Sequence, residues 1–95
     1  MHVITRKRLN EFAAKYPETE NALAQWYDLM KKNNFSSPAE LKIFFSTADK
    51  VGKLTVFNIS GNKVRLIAAV HYNRKKIYIR AVITHEEYDV EKWKE

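Results

Sequence analysis

The chain has no cysteine, which removes a disulfide framework, a thiolate metal ligand and a thiol nucleophile together. It also lacks any apolar run approaching the roughly 20 residues that span a bilayer. The N-terminal MHVITRKRLN puts its basic cluster after a very short apolar segment, the reverse of a secretory signal. A membrane partner is therefore not expected, and a reducing, cytoplasmic setting is. With only two glycines and two prolines, the chain offers neither a Gly-rich phosphate loop nor a flexible linker between domains. His2, His71 and His85 lack metal-ligand spacing, and His85-Glu86-Glu87 lacks the second histidine of a zinc-binding helix. Neither a metal nor another cofactor is expected. The absence with the largest consequence is of acid: no Asp or Glu occurs between Leu54 and His85.

That acid-free stretch holds Lys63, Arg65, Arg74, Lys75, Lys76 and Arg80, six cations that match the whole formal excess of +6. A field of one sign over one segment favours a polyanion over a neutral small molecule. The sequence pI near 9.6 and an aromatic content of 13% fit nucleic acid, which needs both cations and stacking surfaces. At 95 residues and 45% hydrophobic, the chain suffices for a single domain over 1–95 with one core.

Local signals predict an α+β arrangement. His2 to Ile4 reads as a short strand. Thr5 is placed to cap a helix whose apolar stripe is Leu9, Phe12, Ala13 and Tyr16, although Arg6, Lys7 and Arg8 stand at the end where the helix dipole disfavours cations. Tyr16-Pro17 ends that pattern, and a second helix is expected from Pro17 with Leu23, Trp26, Tyr27 and Met30 on its buried side. The two form a helical hairpin that covers one face of a sheet. Ser37-Pro38-Ala39-Glu40 is a capping box opening a short helix to about Phe45, with Leu41, Phe44 and Phe45 as core. Ser46 to Gly52 reads as a loop.

Three strands follow at about Leu54 to Ile59, Lys63 to Tyr72 and Lys76 to Ile83, and their short connections make the sheet mainly antiparallel. Alternation puts Val64, Leu66, Ala68 and Val70 with Ile77, Ile79, Ala81 and Ile83 on the helix-covered face. The open face then carries Lys63, Arg65, Ile67, Ala69 and His71 beside Tyr78, Arg80 and Val82. Requiring both apolar sets to face the same way sets Arg65 opposite Val82 or Thr84 and Arg80 opposite Ile67 or Ala69, unless a bulge intervenes. The same parity puts Asn58 on the open face beside Lys63 or Arg65.

Thr84-His85-Glu86-Glu87-Tyr88-Asp89 then holds a second capping box, Thr84 with Glu87, at the start of a short C-terminal helix. His85 and Tyr88 are three apart and share a face, and Asp89 is positioned to orient the imidazole. A cation, an imidazole and a phenol around one patch are the groups that metal-free RNA cleavage needs. In that scheme Arg65 stabilises phosphoryl charge, His85 is the acid/base and Tyr88 donates a proton or stacks on a base. Asn58, Lys63, Arg80 and the Arg74-Lys75-Lys76 turn hold the RNA. A non-catalytic basic module for RNA or DNA would use the same field, as would a docking surface for an acidic protein.

Several of these segments together resemble the HigB toxins of bacterial toxin–antitoxin modules, within the group that has the RelE fold. The resemblance runs through Ala24-Gln25-Trp26-Tyr27-Asp28, Ser37 to Lys42, Val56 to Ile59, Gly61 to Ile67, Tyr78-Ile79-Arg80 and Thr84 to Asp89. It implies a small α/β domain of RelE type that cuts messenger RNA on the translating ribosome without a metal cofactor. It further implies silencing by a cognate antitoxin, a helix-turn-helix protein of HigA type. The positions matching the family motifs are Asn62, Lys63 and Arg65, and His85, Tyr88 and Asp89, so Asn62 joins the expected RNA contacts. His71 departs from the family pattern, as does the ending Val90-Glu91-Lys92-Trp93.

Overall fold

The computed structural model describes residues 1–61 and 63–90, so the readings of Asn62 and of the tail from Glu91 onward lie outside the described residues. Strand β1 (His2–Ile4) leads into helix α1 (Arg6–Lys15), and a 3-10 turn at Pro17–Thr19 leads to helix α2 (Glu20–Lys32). Thr5 does not cap α1. It adopts a left-handed backbone, φ 72°, and makes no side-chain capping bond. The sharp reversal out of β1 takes up this residue, and capping needs the extended backbone that aims a hydroxyl at the first turn. Pro17 likewise opens the corner and not α2, with the Thr19 hydroxyl donating to the Tyr16 carbonyl at 2.7 Å.

Helix α3 (Pro38–Phe44) begins at Ser37, whose hydroxyl oxygen accepts from the Glu40 amide at 3.3 Å. The return half of the box is displaced by one residue, since the Glu40 carboxylate accepts from the Ser36 amide and not from that of Ser37. A helix this short turns few side chains inward. Leu41 is buried, whereas Phe44, expected in the core, is 51% exposed and lies edge-on to Phe35 at 5.5 Å.

Strands β2 (Asp49–Val51), β3 (Leu54–Ile59), β4 (Val64–His71) and β5 (Lys76–Thr84) complete a five-stranded sheet of order β1-β5-β4-β3-β2, and helix α4 (His85–Asp89) closes the described chain. Only β1 with β5 is a parallel pair. β2 occupies part of the expected loop. Its signal is the two-residue turn Gly52-Lys53, where Gly52 has φ 62°, the backbone that tight hairpins ask of glycine. Three residues of mixed polarity are too few for alternation to reveal a strand. α1, α2 and α3 cover one face, where Leu23, Trp26, Met30 and Leu41 pack on Phe57, Leu66, Ala68 and Ile79. Tyr72 packs at the rim of this cluster. Burial pushes its phenol above the ordinary value, and a hydrogen bond with Thr55 draws it part of the way back.

The register from β4 to β5 follows parity only to its midpoint. A four-residue connection pairs His71 with Lys76, Val70 with Ile77, Ala69 with Tyr78 and Ala68 with Ile79. Ile67 then pairs with Ala81, so Arg80 is the extra residue of a bulge. Beyond it the faces exchange. Val82 joins the core face across from Leu66, while Ala81 and Ile83 turn to the open face across from Ile67 and Arg65. The expected pairs of Arg65 with Val82 or Thr84, and of Arg80 with Ile67 or Ala69, therefore do not form. The bulge brings Thr84 across from Val64 and sets the direction in which α4 leaves the sheet.

Candidate functional site

One end of the open face gathers most of the groups expected to act on RNA. Arg65 projects from β4, half-buried, with Asn58 directly across on β3 and Ile83 across on β5. Its guanidinium carbon lies 5.5 Å from the centroid of the Tyr88 ring, within the range of a cation–π contact. That contact joins the central strand to α4. The same guanidinium also donates weakly to the Val64 carbonyl, at 3.4 Å.

With five residues, α4 is far below the length that is stable alone, so its position is set by its attachments. The Thr84 hydroxyl oxygen accepts from the Glu87 amide at 3.2 Å, and the Glu87 carboxylate accepts from the Thr84 amide and hydroxyl, each at 3.2 Å. The expected capping box is complete. The His85 amide extends the ladder by donating to the Lys63 carbonyl at 3.1 Å. Thr84→Val, which keeps the side-chain volume and removes the hydroxyl, is expected to lower stability by about 1 kcal/mol. Because the box also holds Tyr88 against Arg65, cleavage should fall by about tenfold, as displaced groups near the chemistry do. Thr84→Ser should restore both, and thermal melts with transcript cleavage assays separate the two effects.

The His85 imidazole lies between two carboxylates of its own helix. Nδ1 is 3.9 Å from Asp89 and Nε2 is 3.9 Å from Glu86. Those distances suit ion pairs with an imidazolium and are too long for hydrogen bonds. His85 and Tyr88 do share α4, but it is Tyr88 that meets Arg65. Among the described residues no three His, Cys, Asp or Glu side chains converge as metal ligands would.

The expected RNA contacts separate along the sheet. Lys63 is exposed beside Arg65. Arg74, Lys75 and Lys76 stand at the other end of the eight-residue β4, roughly 24 Å away at ~3.4 Å per residue. Lys75 is engaged in a structural role, its ammonium donating to the Phe35 carbonyl at 3.1 Å and the Ser36 hydroxyl at 3.0 Å. Arg80, on the bulge, lines a recess with Arg8 and His71. Arg8 is the residue that sequence reasoning missed as a member of this face. Its signal was present in the run of cations at the unfavourable end of α1. Arg6 from the same run instead stacks on Tyr27 of α2, 4.1 Å from the ring centroid.

All of the Arg65–Tyr88 end lies within residues 19–91, which match the family model HigB_toxin, described as the RelE-like toxic component of a toxin-antitoxin system. The chain belongs to the HigB toxin family. It is 40% identical over 92 residues to the mRNA interferase toxin HigB of Escherichia coli strain K12, covering 94% of this chain and 88% of that protein. An mRNA interferase HigB of Escherichia coli O6:H1 is 33% identical over 92 residues, with 94% and 89% covered. The α+β fold with its five-stranded mixed sheet suits the RelE-like description. Membership of the HigB toxin family also implies an antitoxin partner. No helix among the described residues of this HigB-family chain is long and apolar enough to cross a membrane.

Proposed function

We propose that this chain is a cytoplasmic endoribonuclease that cuts messenger RNA on the translating ribosome without a metal, and that a helix-turn-helix antitoxin of HigA type silences it. The observation that carries the reading is the Arg65–Tyr88 pair, anchored by a capped helix at one end of the acid-free strands β3 to β5. The relatives, mRNA interferases by name, support the same substrate.

The chemistry follows from groups that this end of the sheet holds. A ribose 2′-hydroxyl loses its proton and attacks the adjacent phosphorus. The bond to the 5′-oxygen breaks, leaving a 2′,3′-cyclic phosphate and a new 5′-hydroxyl. Arg65 supplies the fixed positive charge for the phosphoryl oxygens as negative charge builds on them. His85 and Tyr88 are the groups of α4 able to take the first proton and return one to the leaving oxygen. Asn58 and Lys63 flank this centre, and Asn62, outside the described residues, joins the proposed contact set through the motif it shares with the family. Arg74, Lys75, Lys76 and Arg80 extend it along the strand, with Lys75 reaching RNA only from its place on the Phe35 loop.

Reconstituted translation of a defined message, with cut sites mapped by primer extension, tests the proposal. Cleavage is expected with ribosomes and absent from the naked transcript. Equal cutting of both would remove ribosome dependence. Retarded RNA with no new 5′ ends would leave only a basic binding module.

A further inference from the structure

Arg8, His71, Tyr78 and Arg80 surround an open recess of about 310 Å³ whose remaining walls include Thr5 and Ala69. It lies on the same sheet face as Arg65 but four residues along β4, counting to Ala69. That is roughly 14 Å at ~3.4 Å per residue. His71 and Tyr78 meet edge-to-face, with centroids 5.0 Å apart and planes at 76°. His71, Arg8 and Arg80 are all exposed. Among the described residues neither arginine has a carboxylate at ion-pair distance.

A cross-strand aromatic pair has a packing role of its own. Packing does not account for two guanidiniums on the rim of one recess whose wall holds no acid, Glu11 and Glu87 lying with Arg8 in the neighbouring recess. An anion complements two such cations, and an exposed ring beside it offers a stacking surface. Anion and flat ring together describe a nucleotide: phosphate for the arginines, base for the His71–Tyr78 pair. We propose that this recess is a second nucleotide-binding subsite, which holds a base and its phosphate at a fixed distance from the bond cut beside Arg65. The inference rests on the endoribonuclease reading and adds a ruler to it. About 14 Å holds about two to four nucleotides, at ~3.4 Å each when stacked and about twice that when extended. Arg8 precedes residues 19–91, which match the family model, and Arg80, the extra residue of the β5 bulge, lines the recess.

Binding of 2′-O-methyl RNA, which lacks the attacking hydroxyl, scores the subsite independently of cleavage. Fluorescence anisotropy at low salt would compare the full chain with Arg8→Ala and His71→Ala, using a ten-nucleotide strand and a dinucleotide. Each substitution is expected to weaken the ten-mer by about tenfold, within the range of one lost stacking or phosphate contact. The dinucleotide, whose single step spans at most about 7 Å, cannot join the two positions and should lose much less affinity, a length dependence that a general loss of structure cannot produce. Equal ten-mer affinities, an equal loss on both strands, or no binding by the wild-type chain would overturn the subsite. So would displacement of the ten-mer by polyglutamate as readily as by RNA of the same charge, which would mark a site for an acidic protein. A chain that binds in this pattern yet never cuts a message would overturn the endoribonuclease reading and leave the subsite standing.

Discussion

Arg65→Ala is expected to lower transcript cleavage by about 10²–10³-fold, the loss seen when one preorganised group that stabilises transition-state charge is removed. The expectation comes from position. Arg65 sits in the strand with neighbours on both sides, across from Asn58 and Ile83, so its guanidinium is aimed by the sheet and not by a flexible loop. Its stacking on Tyr88 narrows the remaining freedom. Because the side chain stands on the open face, stability should change by less than about 1 kcal/mol, and a thermal melt distinguishes lost chemistry from lost fold. Arg65→Lys restores the charge without the planar fork and should recover only part of the rate. An alanine variant that cuts at nearly the wild-type rate would show that another cation meets the phosphate, with Lys63, exposed beside Arg65, the first to replace.

Phe57→Ala is expected to destabilise the chain by about 3–5 kcal/mol. Phe57 is 1% exposed and joins the sheet to two other elements, edge-on to Trp26 of α2 at 5.4 Å and to Phe45 after α3 at 5.2 Å. Truncation leaves a cavity between these three layers. Trp26 has no tether to limit the damage, since its indole nitrogen finds no hydrogen-bond partner among the described residues and the ring is held by packing. For a domain of this size the melting temperature should fall by roughly 12–40 °C at 4–8 °C per kcal/mol. Phe57→Leu, which keeps most of the volume, should lose less than half as much. Melts followed by circular dichroism would decide this, and a small shift in the alanine variant would mean that the three aromatic rings collapse into the space.

Much of the architecture could be read before any coordinates because it depends on neighbours in sequence. Alternation located β3 and β4 and the inner face of β4, and the turn around Gly61 set Asn58 beside Arg65. Capping boxes marked the starts of α3 and α4, since a hydroxyl reaching an amide three residues on is a local event. What escaped was set by partners distant in sequence. Thr5 has the right chemistry for a cap, yet the parallel docking of β1 on β5 requires a reversal there. Phe44 has the right hydrophobicity for the core, yet α3 is too short to turn it inward. Lys75 belongs to a basic run by composition, while the fold lays it on the Phe35 loop.

By itself, then, the sequence determined a basic, acid-free run of three strands with Arg65 in the middle one and a capped polar helix after the last strand. Those properties follow from residue type and from a side-chain period of two. Only the tertiary structure decided which of these groups meet. The bulge at Arg80 shifts β5 by one residue against β4, turns Val82 inward, and redirects the exit to α4. Nothing in the run Ile79-Arg80-Ala81 marks the extra residue, because a bulge is defined by how many residues the opposite strand places across from it. That count settled the pairing of Tyr88 with Arg65 at one end of the face and the company of Arg8, His71 and Arg80 at the other.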